Sequence, residues 1–268
     1  MDNIPSLGFG TYRLKEKVAF ISTVHALKTG YNHIDTANLY KNEAEIGKAI
    51  KECDIKRKDL WLTTKVQVKD IKKGRDGIYK SIMNSLTQLD TEYLDLVLLH
   101  GPIPNMIVES WKILEDIVLN ELYDRVRFIG ISNYDIVHLE QLLPTCRIRP
   151  YANQFEISPY LNRDKLVEFC KLNGIVPVAH TSLVKGERFN DEKLERLSEK
   201  TGLSKSLLLL GWALHHGLTV LPRSSNPDHI NENMVCVAIK LDPAIIDELN
   251  KFHIIDTHIT HPQYLIIP

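Results

Sequence analysis

Leu94-Asp95-Leu96-Val97-Leu98-Leu99-His100 is a run of strand length, apolar almost throughout, that closes on a histidine. Alternation would mark a strand with one wet face. An unbroken run marks a strand buried on both faces, the pattern of a parallel sheet covered by helices. Working outward, comparable segments fall near Leu7–Thr11, Asn32–Thr36, Leu60–Lys65, Arg127–Ser132, Tyr151–Phe155, Ile175–His180 and Leu218–Pro222.

Helical spacing fills the intervals. Ile78, Ile82, Leu86 and Leu89 line one face, and Phe20, Val24 and Leu27 another, with Gly30 placed just past a helix end. Ile107, Trp111 and Leu114 fit a helix, as do Leu166, Phe169 and Cys170, while Ser204–His216 is apolar nearly all round and reads as deeply packed. Strand–helix units in this number predict an α/β fold, a (β/α)8 TIM barrel, as a single domain over residues 1–268. A doubly wound open sheet is the alternative. It would place a glycine-rich turn after the first strand, but Gly8-Phe9-Gly10 lies within or at the end of that strand and no G-x-G-x-x-G follows.

Composition narrows the function. With 268 residues, 44% hydrophobic and 25% charged, the chain has material for a large core, which excludes disordered and fibrous classes. Lys and Arg number 33 against 34 Asp and Glu, so no basic excess drives binding to nucleic acid or to a membrane surface. Cys53, Cys146, Cys170 and Cys236 show no paired spacing, which suits free thiols in a reducing compartment. No basic-then-apolar leader opens the sequence and no apolar run approaches the ~20 residues of a membrane span. A cytoplasmic monomer is the expectation.

In a barrel of this kind the chemistry gathers where strands end and loops converge. The second segment ends in Asp35-Thr36 with Tyr40 just beyond, the third in Lys65, the fourth in His100. Singly, each has an ordinary structural reading: a turn cap, a helix-start aromatic, a solvated strand end, a core histidine. Together they form a chemical set. A phenol with a reference pKa of about 10 gives up a proton at neutral pH only if its phenolate is stabilised. Lys65 would stabilise it, Asp35 would fix and charge Lys65, and His100 would bind the oxygen that receives the proton. The set suits protonation of a carbonyl oxygen as hydride reaches its carbon. Further on, Pro222-Arg223-Ser224-Ser225-Asn226-Pro227 leads into a helix, with Asn226 as N-cap and Pro227 at the first helical position. Hydroxyls, an arginine and free helix N–H groups there read as a phosphate site, against the plainer reading of a well-capped surface helix.

The assembled motifs resemble the aldo-keto reductases along nearly the whole chain. They are Gly8-Phe9-Gly10-Thr11, Ile34 through Glu43, Thr63-Thr64-Lys65, Leu94 through His100, Ile129-Gly130-Ile131-Ser132-Asn133-Tyr134, Asn153-Gln154-Phe155-Glu156 and Leu221-Pro222-Arg223-Ser224. The resemblance implies NADPH, with NADH possible, lying across the barrel mouth. It implies reduction of aldehyde and ketone carbonyls to alcohols, with Asp35, Tyr40, Lys65 and His100 as catalytic tetrad and Tyr40 as general acid. Ser132, Asn133 and Gln154 match positions holding the nicotinamide carboxamide, and Thr181, Ser182, Leu183 and Gly186 lie on the pyrophosphate side. Arg223, Ser224 and His229 match the 2′-phosphate positions and Glu232 and Asn233 the adenine contacts. Gly10, Thr11, Pro222 and Ser225 complete the expected cofactor site.

Departures from the family pattern sharpen these expectations. His180 stands where a large aromatic usually stacks on the nicotinamide, and an imidazole offers less area. His229 stands where a permanently charged residue is usual, which narrows the preference for NADPH. Tyr12, Gln67 and Gly101, with His100, form the expected substrate wall where tryptophans are common. The resemblance further implies that the hairpin capping the barrel bottom is missing and that the C-terminal tail is short. A small-molecule carbonyl substrate follows: small or polar aldehydes and α-dicarbonyls, in preference to steroids.

Other residues carry less. His253, His258 and His261 lack the cysteine or acidic neighbours of a metal site, and His215-His216 point apart, so no metal is expected. Trp61, Trp212 and Cys170 read as core and Lys72-Lys73 as a solvated loop. Two other functions compete with carbonyl reduction: a nicotinamide-binding sensor with little turnover, and a barrel lyase using Lys65 as a Schiff-base amine, which a carboxylate beside the ammonium disfavours.

Overall fold

The computed structural model describes residues 3–254. Strands β1 (Phe9–Gly10), β2 (His33–Asp35), β3 (Trp61–Val66), β4 (Leu94–Leu99), β5 (Val126–Ser132), β6 (Ala152–Glu156), β7 (Val176–His180) and β8 (Thr219–Val220) lie side by side in chain order, each parallel to the next. The last returns to the first. Val220 N donates to Ser6 O (2.8 Å), Gly8 N to Val220 O (2.9 Å) and Gly10 N to Pro222 O (3.0 Å), and Leu7 bridges Val220 in parallel. The (β/α)8 barrel closes, and the open-sheet alternative falls.

The helices follow as α1 (Glu16–Thr29), α2 (Glu43–Glu52), α3 (Val68–Ile71), α4 (Gly74–Gln88), α5 (Ile107–Asn120) and α6 (Ile136–Leu142). Beyond them come α7 (Asp164–Leu172), α8 (Glu192–Thr201), α9 (Lys205–His215), α10 (Pro227–Val235) and α11 (Pro243–Asn250). None among the described residues is long and apolar enough to cross a membrane.

The deciding run alternates once folded. Leu96 and Leu98 join Trp61, Ala152, Val178 and Leu221 in one core cluster, while Val97 and Leu99 belong to the larger cluster shared with the helices. Asp95 fits because it is paired completely. It accepts from Arg57 Nη2 (2.7 Å), Arg127 Nη1 (2.8 Å) and the Leu62 amide (2.9 Å), so burial leaves no lone charge. Trp61 stacks on Phe128, with ring centroids 5.6 Å apart.

Two local expectations change. The outer strands are shorter than predicted, because the seam is held by single hydrogen bonds around Gly8 and Gly10, and a Cβ on Gly10 would meet Leu221 O at 2.8 Å. Helix α1 buries Ala19, Ser22, Thr23, Ala26 and Leu27, leaving Phe20 and Val24 half-buried. Small residues let this helix approach closely, and bulk sits at its margin. It ends as expected at Gly30 (φ 110°), where Tyr31 N bonds back to Ala26 O.

Cys170 and Cys236 are buried and Cys53 and Cys146 half-buried, all as free thiols. Trp61, Trp111 and Trp212 are core residues. His253 Nδ1 accepts from the Asn162 amide (3.1 Å), whereas His258, His261 and the C-terminal tail lie outside the described residues.

Gly47 on α2 tests the packing. Alanine is favoured over glycine inside a helix by about 1 kcal/mol. Here a Cβ would lie 2.6 Å from Leu89 O and 2.7 Å from Leu89 C, backbone atoms that cannot swing away. Gly47→Ala should therefore lower stability by about 1–3 kcal/mol, read as a lower urea midpoint. A raised midpoint would show that α2 is free to move.

Candidate active site

Three strands end side by side at the barrel mouth, with Asp35 opposite Thr63 and Lys65 opposite Leu98 in register. Lys65 is fully buried. Its Nζ donates to Asp35 Oδ1 (2.5 Å) and to the Thr36 carbonyl (2.8 Å). The second Asp35 oxygen, Oδ2, accepts from Gln154 Nε2 (2.7 Å) on β6. Burial pulls the Lys65 ammonium below the usual lysine range, and Asp35 holds back part of that fall.

Tyr40 sits on the 3₁₀ turn that follows β2, with its ring centroid 5.2 Å from Lys65 Nζ. The His100 ring meets it edge-on at 5.9 Å, and Tyr12, half exposed, lies at 5.0 Å on another side. Burial, helped by the Lys65 charge, drives the His100 pKa down to about 3, so the ring is neutral at physiological pH. Its Nδ1 is buried with no partner among the described residues. All four expected catalytic residues thus form one group.

Asn133 joins this group to the next. It adopts φ 62°, a region asparagine tolerates better than most residues. Its Nδ2 donates to His100 O and Ser132 Oγ (both 3.1 Å), which fixes the amide's orientation. Oδ1 can only accept, so His180 Nε2, 2.9 Å away, donates to it and His180 Nδ1 accepts from Thr181 Oγ1 (3.0 Å). Ser132 Oγ in turn donates to Gln154 O (2.9 Å). Thr11 turns its hydroxyl inward, donating to Asp35 O (2.9 Å), which holds β2 in place. Gln67 is buried and donates to Asn38 Oδ1 (2.9 Å) and Asp70 Oδ2 (2.7 Å), while Gly101 is buried beside His100.

A second group lies past β7 and β8. Asn226 caps α10 through Oδ1, which accepts from Asp228 N (2.9 Å), and Ser224 Oγ accepts from Asn226 N (3.0 Å). Arg223 donates to the carbonyls of Tyr12 and Arg13. Burial and the Arg13 charge pull the Arg223 guanidinium below its usual range. Two neighbouring guanidiniums repel, and an anion between them relieves it. Ser182 Oγ and Asn233 Oδ1 are buried without a protein partner among the described residues. Ser225 and His229 are exposed, Leu183 and Glu232 half-buried, Pro222 buried, and Gly186 adopts φ 79°. These orphaned polar atoms and paired arginines fit a phosphate-bearing dinucleotide.

Comparison with known proteins decides the family. The model described as "Aldo/keto reductase family" matches residues 6–254. This chain belongs to that family. A 9,11-endoperoxide prostaglandin H2 reductase of Trypanosoma cruzi (strain CL Brener) is 35% identical over 257 residues, covering 92% of this chain and 88% of the relative. Methylglyoxal reductase DkgB of Escherichia coli O157:H7 is 35% identical over 240 residues, covering 89% of each. An aldo-keto reductase from a Medee basin deep-sea metagenome library superposes with a TM-score of 0.89 at 28% identity, covering 98% of this chain and 97% of that one. As an aldo/keto reductase the chain is an oxidoreductase, and the family generally uses a nicotinamide cofactor.

Three residues given no role by sequence reasoning matter in the aldo/keto reductase site. Asn42 donates through Nδ2 to the carbonyls of Thr11 and Leu14 (both 2.8 Å) and accepts from Thr36 Oγ1 (3.1 Å), locking the turn that carries Tyr40. Glu43, buried, accepts from Thr64 Oγ1 (2.6 Å) and Ser85 Oγ (3.1 Å), and burial raises its pKa. Both lie within the quoted motif Ile34 through Glu43, where the letters alone give no sign of burial. Arg13 gave no signal.

His33 and His100 make stability depend on acid. Burial puts both near pKa 3 when folded, against about 6.5 unfolded, so only the unfolded chain takes up these protons between the two values. Their contribution is complete above pH ~6.5 and is lost as pH falls toward 3. His100→Gln should flatten the fall of Tm across that window. An unchanged slope would mean that His100 is protonated in the fold.

Proposed function

We propose that this chain is an NADPH-dependent reductase of small, polar aldehydes and α-dicarbonyls, with Tyr40 as the proton donor. The observation that carries the reading is the Tyr40 ring lying within 5.2 Å of a buried ammonium and 5.9 Å of a neutral imidazole.

The carbonyl oxygen lies between Tyr40 and His100. An imidazole with a pKa near 3 holds no spare proton at neutral pH, so His100 orients the oxygen as a neutral hydrogen-bonding group. Tyr40 is left as the acid. Lys65 stabilises the phenolate that forms as the proton leaves, and Asp35, anchored by Gln154, fixes the ammonium in place. A reduced nicotinamide, when bound, supplies the hydride. Two acceptors on Lys65 disfavour its use as a free amine, and with it the lyase.

Ser132, Asn133, Gln154 and His180 would hold the nicotinamide end. Thr181, Ser182, Leu183 and Gly186 would follow the pyrophosphate, with Gly10, Thr11 and Pro222 along the mouth. Arg223, Ser224, Ser225 and His229 would meet the 2′-phosphate, now with Arg13 beside them, and Glu232 and Asn233 the adenine. The substrate preference rests on Tyr12, Gln67 and Gly101 in place of bulkier walls. It is supported by the relative named for methylglyoxal, an α-dicarbonyl.

Parallel calorimetric titration with NADPH and NADH tests the cofactor, and tighter binding of NADPH is expected. Binding of neither would sink the proposal. Tyr40→Phe should lower kcat with methylglyoxal by about 100-fold or more while leaving NADPH binding nearly intact. His229→Arg should tighten NADPH about three- to fivefold and leave NADH unchanged, and equal tightening of both would place His229 away from the 2′-phosphate.

A further inference from the structure

A cleft of about 560 Å³ opens between the turn that carries Tyr40, the short helix α3 and the N-terminal half of α4. Lys41, Lys69, Lys73 and Lys80 line it, against the two carboxylates of Asp70 and Asp76. Both carboxylates are engaged: Asp70 Oδ1 accepts from Lys73 (2.7 Å) and Asp76 Oδ2 from Lys80 (2.9 Å). The Lys41 and Lys69 side chains make no hydrogen bond or ion pair among the described residues, and the Lys69 charge acts at longer range on Asp70. The lining therefore sets four ammonium groups against two carboxylates and is net positive.

A neutral donor lies among them. Ser81 is only 6% exposed, lines the cleft, and its Oγ has no hydrogen-bond partner among the described residues. A buried hydroxyl without a hydrogen-bond partner is uncommon, and in a cleft whose lining is net positive it favours an acceptor carrying negative charge.

The position relates this cleft to the catalytic group. Lys41 directly follows Tyr40, so their Cα atoms are about 3.8 Å apart. Gln67, two residues past Lys65, lines the cleft and ties both of its sides together through Asn38 and Asp70. The cleft thus begins within two residues of both the proton donor and the ammonium that activates it.

We propose that this cleft is an anion subsite, which takes the carboxylate or phosphate monoester end of a carbonyl substrate whose reacting carbon lies at Tyr40. The proposal rests on the reductase reading and narrows its substrates to polar carbonyl compounds with an anionic end. Lys41 and Lys69 supply charge, and Ser81 supplies a directed hydrogen bond. A neutral substrate gains nothing there, so the subsite acts on KM for charged substrates. The gain weakens as salt rises, because the ammonium groups are exposed.

The test uses the full chain with NADPH and two matched pairs of aldehydes: 4-oxobutanoate with its methyl ester, and glyceraldehyde 3-phosphate with glyceraldehyde. The ratio of kcat/KM, charged over neutral, is measured in the wild type and in Lys41→Gln/Lys69→Gln. Taking the ratio within each protein cancels any general loss of active enzyme. The ratio should fall about four- to twentyfold in the double variant, through KM, and by less in Ser81→Ala. A fall confined to one pair identifies the anion as carboxylate or as phosphate. Unchanged ratios in both pairs, with neutral aldehydes still reduced, would overturn the subsite and leave the reductase reading standing. If the wild type reduces none of the four with either nicotinamide, the reductase reading fails and the subsite fails with it.

Discussion

An ammonium buried at the mouth of the barrel is the constraint on which the site depends. Taking Lys65 out of water costs several kcal/mol unless good acceptors surround it. Asp35 and the Thr36 carbonyl are those acceptors, and Gln154 holds the far oxygen of Asp35 from β6. The ion pair therefore ties β2, β3 and β6 into one register. Loss of either partner alone would leave an uncompensated buried charge, at about 3–5 kcal/mol. Folding and the proposed chemistry draw on the same contacts here: the barrel must close for Lys65 to be satisfied, and Lys65 is the charge that faces the Tyr40 ring.

Around this pair, buried polar side chains hold the Tyr40 turn and His100 in place. Tyr40 lies on a short turn, which alone would be mobile. Asn42 fastens that turn to the loop after β1, and Glu43 fastens the start of α2 to β3 and α4. Asn133 does the same on the opposite side, where one amide connects His100, Ser132 and His180. The arrangement places both Tyr40 and His100 under side-chain control rather than leaving them to loop conformation.

Much of this was legible in the sequence, for a physical reason. Strands buried on both faces leave continuous apolar runs, so Leu94–Leu99 announces itself, and a polar residue closing such a run points to the mouth. Asp35, Lys65 and His100 were found that way. The two seam segments, near Leu7–Thr11 and Leu218–Pro222, were legible too, but their pairing was not, since it rests on backbone bonds among Ser6, Gly8, Gly10, Val220 and Pro222 that carry no side-chain signal. Nor was the bonded face of α1, because small residues pack by close approach rather than by apolar bulk. The link from Gln154 to Asp35 spans 119 positions and has no local trace. Asn42 and Glu43 were visible as letters, but burial turns a helix-start carboxylate into a structural anchor, and burial is a property of the fold.

The four thiols bear on what such a molecule has to survive. Burial raises the pKa of Cys53 and Cys146, and pushes that of Cys170 up to about 11 and that of Cys236 up to about 12. Thiolate, not thiol, is the attacking form, so at neutral pH very little of it is present at any of these positions. Aldehydes and dicarbonyls are electrophiles that consume exposed nucleophiles. A reductase of the kind proposed would turn over in the presence of a reagent that consumes thiolates. Keeping every cysteine protonated and at least half out of solvent would leave such substrates little thiolate to attack on this chain.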